Sequence, residues 1–179
     1  DTPGRLCYCN AKGGDAMRTL YVSDLDGTLL RSNQKTSHFT NQTIHDLVEE
    51  GMLFSYATAR SYIAAKPVTE GLDARIPLIV YNGAMVVDNE DGKIMFCHYL
   101  QEDAHRLLDE LMEQDIYPIV FTMLDGVEKM LYVPSKISAE TRRFIEMRDG
   151  DIRMFPVDDP RNLHDGDIFD ITCIDKFDK

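Results

Sequence analysis

The chain has 179 residues, 44% hydrophobic and 28% charged, which is enough for a packed core and ordinary for a globular protein. Its 31 acidic residues outnumber 19 lysines and arginines, giving a formal net charge of −12 that excludes nucleic-acid binding by general electrostatic attraction. No apolar run is long enough for a membrane-spanning helix, so neither class of extended anionic or lipid partner is expected.

Residues 1–16, DTPGRLCYCNAKGGDA, are polar and glycine-rich and lack the apolar core of a signal peptide. Met17 follows and is the expected natural start, which makes residues 1–16 an upstream or appended segment with little fixed structure. Cys7 and Cys9 flank one tyrosine, Cys97 and Cys173 stand alone, and the five histidines are scattered. None of this is Cys-x-x-Cys or zinc-ligand spacing, so the thiols are read as free and the location as cytoplasmic.

TLYVSDLD, residues 19–26, is a short apolar run that suits a buried strand. A polar loop leads into TNQTIHDLVEEGM, residues 40–52, read as a helix capped by Thr40, with Ile44, Leu47 and Val48 on one face and Gly51 at its end. MLFSYAT (52–58) is a second strand, ARSYIAAKPVTEGL (59–72) a helix disturbed by Pro67, and IPLIVYNG (76–83) a third strand. Strands alternating with helices pair in parallel through right-handed crossovers, which makes this the first half of a doubly wound α/β sheet.

After Gly83 the pattern changes. AMVVDNEDGKIMFCHYL (84–100) reads as a hairpin, with an Asp-Gly turn between two β-rich runs. QEDAHRLLDELMEQD (101–115) is an amphipathic helix with Ala104, Leu107, Leu108 and Leu111 on one face. YPIVFTM and KMLYVP flank Asp125-Gly126 as a second hairpin, SAETRRFIEMRD (138–149) is a helix, and DIFDITCID (167–175) is a late strand. Hairpins alternating with helices describe an α+β module, so the boundary is placed near residue 84, with 17–84 the α/β part and 85–179 the α+β part.

Two carboxylates close the first strand. Side chains alternate along extended backbone, so Asp24 and Asp26 project together across Leu25. Ligands of open parallel sheets gather at the carboxyl ends of the strands. Strand 2 ends in Thr58 and strand 3 in Asn82-Gly83, so an acid pair, a hydroxyl and an amide are expected in one crevice. Paired carboxylates suit a hard cation such as Mg²⁺, and one of them can act as a nucleophile on phosphorus while the other moves a proton. Like-charge proximity would push their pKa values apart. The competing account of Asp-Gly-Thr is turn and cap chemistry, and for Thr58 and Asn82 turn or capping polarity serves equally well.

DLDGTLL (24–30) resembles the first signature of the haloacid dehalogenase superfamily, and YATARS (56–61) its second, centred on Ser or Thr. YNGA (81–84) is similar to the segment that closes the core of the Cof-type branch, subclass IIB, before its α+β cap. The resemblance covers the chain from about Met17 onward. It implies a Rossmann-like parallel core with an inserted α+β cap, and a Mg²⁺-dependent phosphatase of small phosphorylated metabolites, sugar phosphates above all. Asp24 would be the nucleophile and a metal ligand, and Asp26 the general acid/base with its carbonyl on the metal. Thr58 would bind phosphate, and Arg60, Asn82 and Gly83 would line the cleft.

The superfamily's lysine and its later acidic Gly-Asp motif have no counterpart up to Lys179, so the core is expected to be incomplete and the chain to stop within the cap. GDIFD (166–170) is rejected as the acidic motif because it opens a strand of cap character, and Lys136, Lys176 and Lys179 are not given the lysine's role. An unpaired edge on strand 1 would then invite self-association. Two alternatives remain: a phosphotransferase using the same aspartyl-phosphate, or a catalytically incomplete fragment acting as a binding or oligomerising module.

Overall fold

The structure, a computed structural model, describes residues 19–174. The expectations for Met17, Cys7, Cys9, Lys176 and Lys179 lie outside the described residues.

Strand β1 (Leu20–Ser23) pairs in parallel with β2 (Leu53–Tyr56), in the register Leu20 to Leu53 and Ser23 to Tyr56. Between them runs helix α1 (His38–Glu49). Its cap is Ser37 rather than Thr40. The Ser37 backbone is extended and its hydroxyl accepts from the Thr40 N–H at 3.1 Å, while the Thr40 hydroxyl sits 2.8 Å from Ser37 Oγ. Two hydroxyl residues stand three apart here, and the one outside the helix takes the capping role. Ile44 and Val48 are buried, whereas Leu47 is exposed.

The second helix is much shorter than the sequence suggests. Only one turn forms, α2 (Tyr62–Ala65), capped by Ser61, because Pro67 has no N–H to continue the ladder and its ring crowds the preceding turn. Strand β3 (Leu78–Val80) joins β2 through a parallel bridge from Ala57 to Ile79 and a bond from the Thr58 N–H to the Ile79 carbonyl.

β3 then continues into an antiparallel sheet with β4 (Met85–Val87) and β5 (Ile94–Cys97). The hairpin after residue 84, assigned from sequence to the α+β part, is thus hydrogen-bonded to the third strand of the α/β part. The second sheet begins only at β6 (Ile119–Leu124), after helix α3 (Gln101–Glu113). It has four strands in the order β8-β7-β6-β9, with β7 at Val127–Tyr132, β8 at Met154–Pro156 and β9 at Asp167–Thr172. Helix α4 (Ala139–Glu146) crosses between β7 and β8, which pair in parallel.

Alternation along the second sheet sends its residues to two cores. Val120, Leu131 and Ile168 pack under α3 with Ala104 and Leu108. Ile119, Phe121, Met130 and Phe169 face the other way and join Leu25, Tyr56, Leu78, Tyr81 and Met85 of the first unit. The two units therefore share one apolar core. Strand β1 lies at its margin: among the described residues β2 is its one paired neighbour, and Leu20, Tyr21 and Val22 are 51%, 54% and 44% exposed. Both faces and the free edge of an apolar strand are uncovered, as an incomplete parallel core requires.

Candidate active site

β1 stops at Ser23, and the chain turns through residues 24–30, closed by a bond from the Leu30 N–H to the Leu25 carbonyl. Leu25 is fully buried, while Asp24 and Asp26 on either side of it are exposed. Gly27 has φ +79° with open space where a Cβ would stand; its role is the left-handed backbone of the turn, not a close approach. The Asp24 carboxylate accepts from the Thr28 hydroxyl at 3.2 Å.

Asp26 is held by Arg60. Arg60 Nε donates to Asp26 Oδ2 at 2.8 Å and Nη2 to Oδ1 at 2.7 Å, a two-pronged ion pair. The hydrogen bonds from Arg60 hold the Asp26 carboxyl below its usual range, with burial opposing weakly. Its titration is thus governed by this cation, not by repulsion from Asp24 as the sequence suggests.

Thr58 is 3% exposed, and its hydroxyl accepts from the Arg60 N–H at 3.2 Å, which leaves the hydroxyl proton to be donated. The Thr58 carbonyl takes the Asn82 N–H at 3.1 Å and the Arg60 carbonyl takes the Tyr81 N–H at 3.1 Å. These bonds lace the end of β2 to the end of β3. They also support an unusual backbone: Tyr81, Asn82 and Gly83 have φ of +51°, +52° and +97° in succession. Glycine takes this region freely and asparagine tolerates it, but a tyrosine there is strained unless its surroundings hold it.

The surroundings do so. The Tyr81 ring meets Phe121 and Phe169 of the second sheet edge-on, at centroid distances of 5.6 and 5.1 Å. Its hydroxyl donates to Glu128 and accepts from Arg153 Nη1 at 2.9 Å. Arg153, 6% exposed, also donates to Glu128 at 2.7 Å and to Asp151 at 2.6 Å. Burial works against the Arg153 charge, but the Asp151 hydrogen bond and the neighbouring acids outweigh it and raise its pKa. Burial, with the Glu128 charge beside it, pushes the Tyr81 phenol well up.

Asp26, Arg60 and Asn82 open onto one cleft of about 760 Å³, whose far wall includes Arg148, Arg153 and Asp170 from the second sheet's side. Thr58 backs this cleft through its bonds to Arg60 and Asn82. Asp24 and Gly83 are not among the lining residues; Asp24 stands beside Asp26 at the end of β1 and Gly83 at the base of the Asn82 turn. Sequence reasoning missed Tyr81, Arg148, Arg153 and Asp170. Asp170 carries a faint signal, an acid interrupting the apolar run IFDIT, and burial raises its pKa. GDIFD thus sends one carboxyl to the cleft although it opens a strand of the second sheet, as expected.

A haloacid dehalogenase-like hydrolase family model matches residues 21–179. The chain belongs to that family. An HMP-PP phosphatase of Serratia proteamaculans is 36% identical over 105 residues, 59% of this chain and 38% of the relative. A 5-amino-6-(5-phospho-D-ribitylamino)uracil phosphatase of Bacillus subtilis is 32% identical over 99 residues, 55% of this chain and 34% of the relative. Among solved structures, a superfamily phosphatase from Bacteroides thetaiotaomicron matches with TM-score 0.61 at 18% identity, over 88% of this chain and 55% of that one. A subclass IIB sugar phosphatase matches with TM-score 0.57 at 13% identity, over 82% and 55%. These likenesses establish the shared fold, an α/β core with its α+β companion, and the chain spans little more than half the length of the neighbours it matches.

As to metal, the Asp24 carboxylate has, among the described residues, one hydroxyl partner and is a hard oxygen donor, which fits Mg²⁺. The Asp26 side chain is occupied by Arg60, which fits a role for its carbonyl and not its carboxylate. Among the described residues, the one group of three or more potential ligands, His45, Glu49 and Asp73, does not include either acid, and Arg75 already pairs with its two carboxylates.

Proposed function

We propose that this chain carries the nucleophile end of a Mg²⁺-dependent phosphatase that acts on small phosphorylated metabolites, sugar phosphates first, in the cytoplasm. The observation that carries this reading is the pairing of Asp26 with Arg60 at the carboxyl end of the parallel strands, beside the exposed Asp24. In support stand the family membership and the phosphatase names of the relatives. The second sheet with α3 and α4 serves as the cap.

Asp24 attacks phosphorus through a carboxylate oxygen, forming an aspartyl-phosphate as the bond to the ester oxygen breaks. Asp26 gives its proton to the leaving oxygen. It then takes one from the water that attacks the intermediate, returning Asp24 and releasing phosphate. Arg60 sets the order of events. It keeps Asp26 ionised in the resting site, and an arriving phosphate dianion competes for the guanidinium, freeing Asp26 to gain the proton it must donate. Thr58 offers its hydroxyl proton, and Asn82 its amide, to the phosphoryl oxygens. Mg²⁺ would be held by the Asp24 carboxylate and the Asp26 carbonyl, where it offsets the repulsion between carboxylate and phosphate.

In a version of the protein that also carries the superfamily's lysine and later acidic motif, Asp24→Asn should abolish Mg²⁺-dependent turnover of p-nitrophenyl phosphate, while Asp26→Ala should lower kcat by ~10²–10⁴-fold with KM little changed. Undiminished turnover in a folded Asp24→Asn protein would remove the nucleophile assignment. The exposed edge of β1 favours a second reading, a module that associates through that edge.

A further inference from the structure

We propose that Arg148 recognises a second anionic group on the substrate, so that the preferred metabolite bears another phosphate or a carboxylate besides the phosphate that is removed. The proposal rests on the preceding reading only in placing the reacting phosphate at the Asp24–Asp26 end of the cleft.

A chain of net charge −12 brings three arginines, Arg60, Arg148 and Arg153, to one cleft. Two of them are committed. Arg60 is closed two-pronged on Asp26, and Arg153 is spread over Asp151, Glu128 and the Tyr81 hydroxyl. Arg148, just past the end of α4, is the cleft arginine with no carboxylate at ion-pair distance among the described residues. Its Nη1 donates to the Phe144 carbonyl at 3.0 Å, and its guanidinium carbon lies 3.4 Å from the centroid of the Phe144 ring. The fork is thereby held over an aromatic face, and among the described residues one of its N–H groups is committed.

Such a group is a preformed anion receptor. A planar guanidinium offers two parallel donors to a carboxylate or phosphate, and stacking has already restricted its rotamers, so little ordering is left for the ligand to bear. The surroundings also favour an anion. Burial, and then the charge of Arg153, work against the Arg148 cation, with Asp151 only partly offsetting them. An anion between Arg148 and Arg60 relieves that repulsion. The reacting phosphate belongs with Arg60 on the β1–β2 side, whereas Arg148 comes from the α4 side of the 760 Å³ cleft, within the size range of small-metabolite sites. One ligand with two anionic groups can satisfy both cations at once, one at each wall.

The test is calorimetric titration of the protein with four probes: inorganic phosphate and glycerol 3-phosphate, which present one phosphate, and pyrophosphate and 3-phosphoglycerate, which add a phosphate or a carboxylate. The two-anion probes should bind more tightly than the one-phosphate probes. Arg148→Gln should weaken them by about 10-fold or more, the weight of one charge-assisted contact, and leave the one-phosphate probes unchanged. Arg148→Lys should recover only part of the loss. Whichever of pyrophosphate and 3-phosphoglycerate loses more identifies the second anion. Equal weakening of all four probes would place Arg148 on the reacting phosphate and overturn the proposal, as would no weakening or no binding of the two-anion probes to the parent. Should a version carrying the superfamily's lysine and later acidic motif hydrolyse no phosphate ester, while the two-anion probes still bind through Arg148, the hydrolase reading falls and this inference stands.

Discussion

Replacing Tyr81 with phenylalanine tests whether the junction between the two sheets is held as the structure describes. The substitution deletes one oxygen and keeps the ring, its contacts with Phe121 and Phe169, and the backbone bond to the Arg60 carbonyl. Lost are a hydroxyl donated to Glu128 and one accepted from Arg153, at a residue 5% exposed. Arg153 is not orphaned, because Asp151 and Glu128 still hold it. The net loss should therefore be that of one hydrogen-bonded group facing charged partners, about 2 kcal/mol. For a chain of this size that is a fall of roughly 4–8 °C in Tm. Arg153→Met should do more, about 3–5 kcal/mol, since it leaves Asp151 and Glu128, both largely buried, without their shared cation. Thermal unfolding followed by circular dichroism gives both values. A double-mutant cycle of Tyr81→Phe with Glu128→Gln should give a coupling of at least ~0.5 kcal/mol. Tyr81→Phe within ~0.5 kcal/mol of the parent, or strict additivity in the cycle, would refute the network.

Two further outcomes follow from the site and the edge. Arg60→Ala removes the hydrogen bonds that depress the Asp26 pKa, so Asp26 should titrate higher in the variant by carbon-13 NMR of its carboxyl. In the parent the Arg60–Asp26 contribution is fully present above the unfolded value of 3.8 and is lost only as pH falls through the lower folded value; an unmoved Asp26 titration would show the pair to be broken in solution. Sedimentation at high protein concentration should show association of the chain through β1, reversed by Leu20→Lys with Val22→Lys, and a parent that stays monomeric would end the edge reading.

The elements most legible in the sequence are those whose signal is local. β1, β2 and β3 are short apolar runs, and both hairpins carry Asp-Gly between β-rich flanks, so their positions follow from pattern alone. The errors arise where a local signal competes with another. Ser37 and Thr40 are equivalent by composition, and only the extended backbone at Ser37 decides between them. Helical periodicity over 59–72 is cut to one turn by Pro67. β8 has three residues and ends in Pro156, which leaves no period to read. At 85–97 antiparallel grammar follows parallel grammar, which draws a boundary in the sequence, while β4 still hydrogen-bonds to β3 across it.

The site divides in the same way. Asp24 and Asp26 stand two apart in sequence, and Thr58, Arg60 and Asn82 sit near strand ends, so a rule about the carboxyl ends of parallel strands reaches them all. The opposite wall is assembled from Arg148 and Arg153 of the α4–β8 connection and Asp170 of β9, with Tyr81 reaching into it from the first unit. Apart from Asp170, the acid that interrupts IFDIT, none of these stands out in its own stretch of sequence, and tertiary packing alone brings them to the cleft. Tyr81 is the residue on which the two halves meet. Its left-handed backbone places Asn82 on the cleft, and its ring and hydroxyl fix the second sheet against the first. Separating the walls would expose that aromatic cluster and strip Arg153 of a partner. Arg60 and Arg148 are accordingly brought to one cleft by packing before any ligand arrives, so little ordering is left for a ligand to impose.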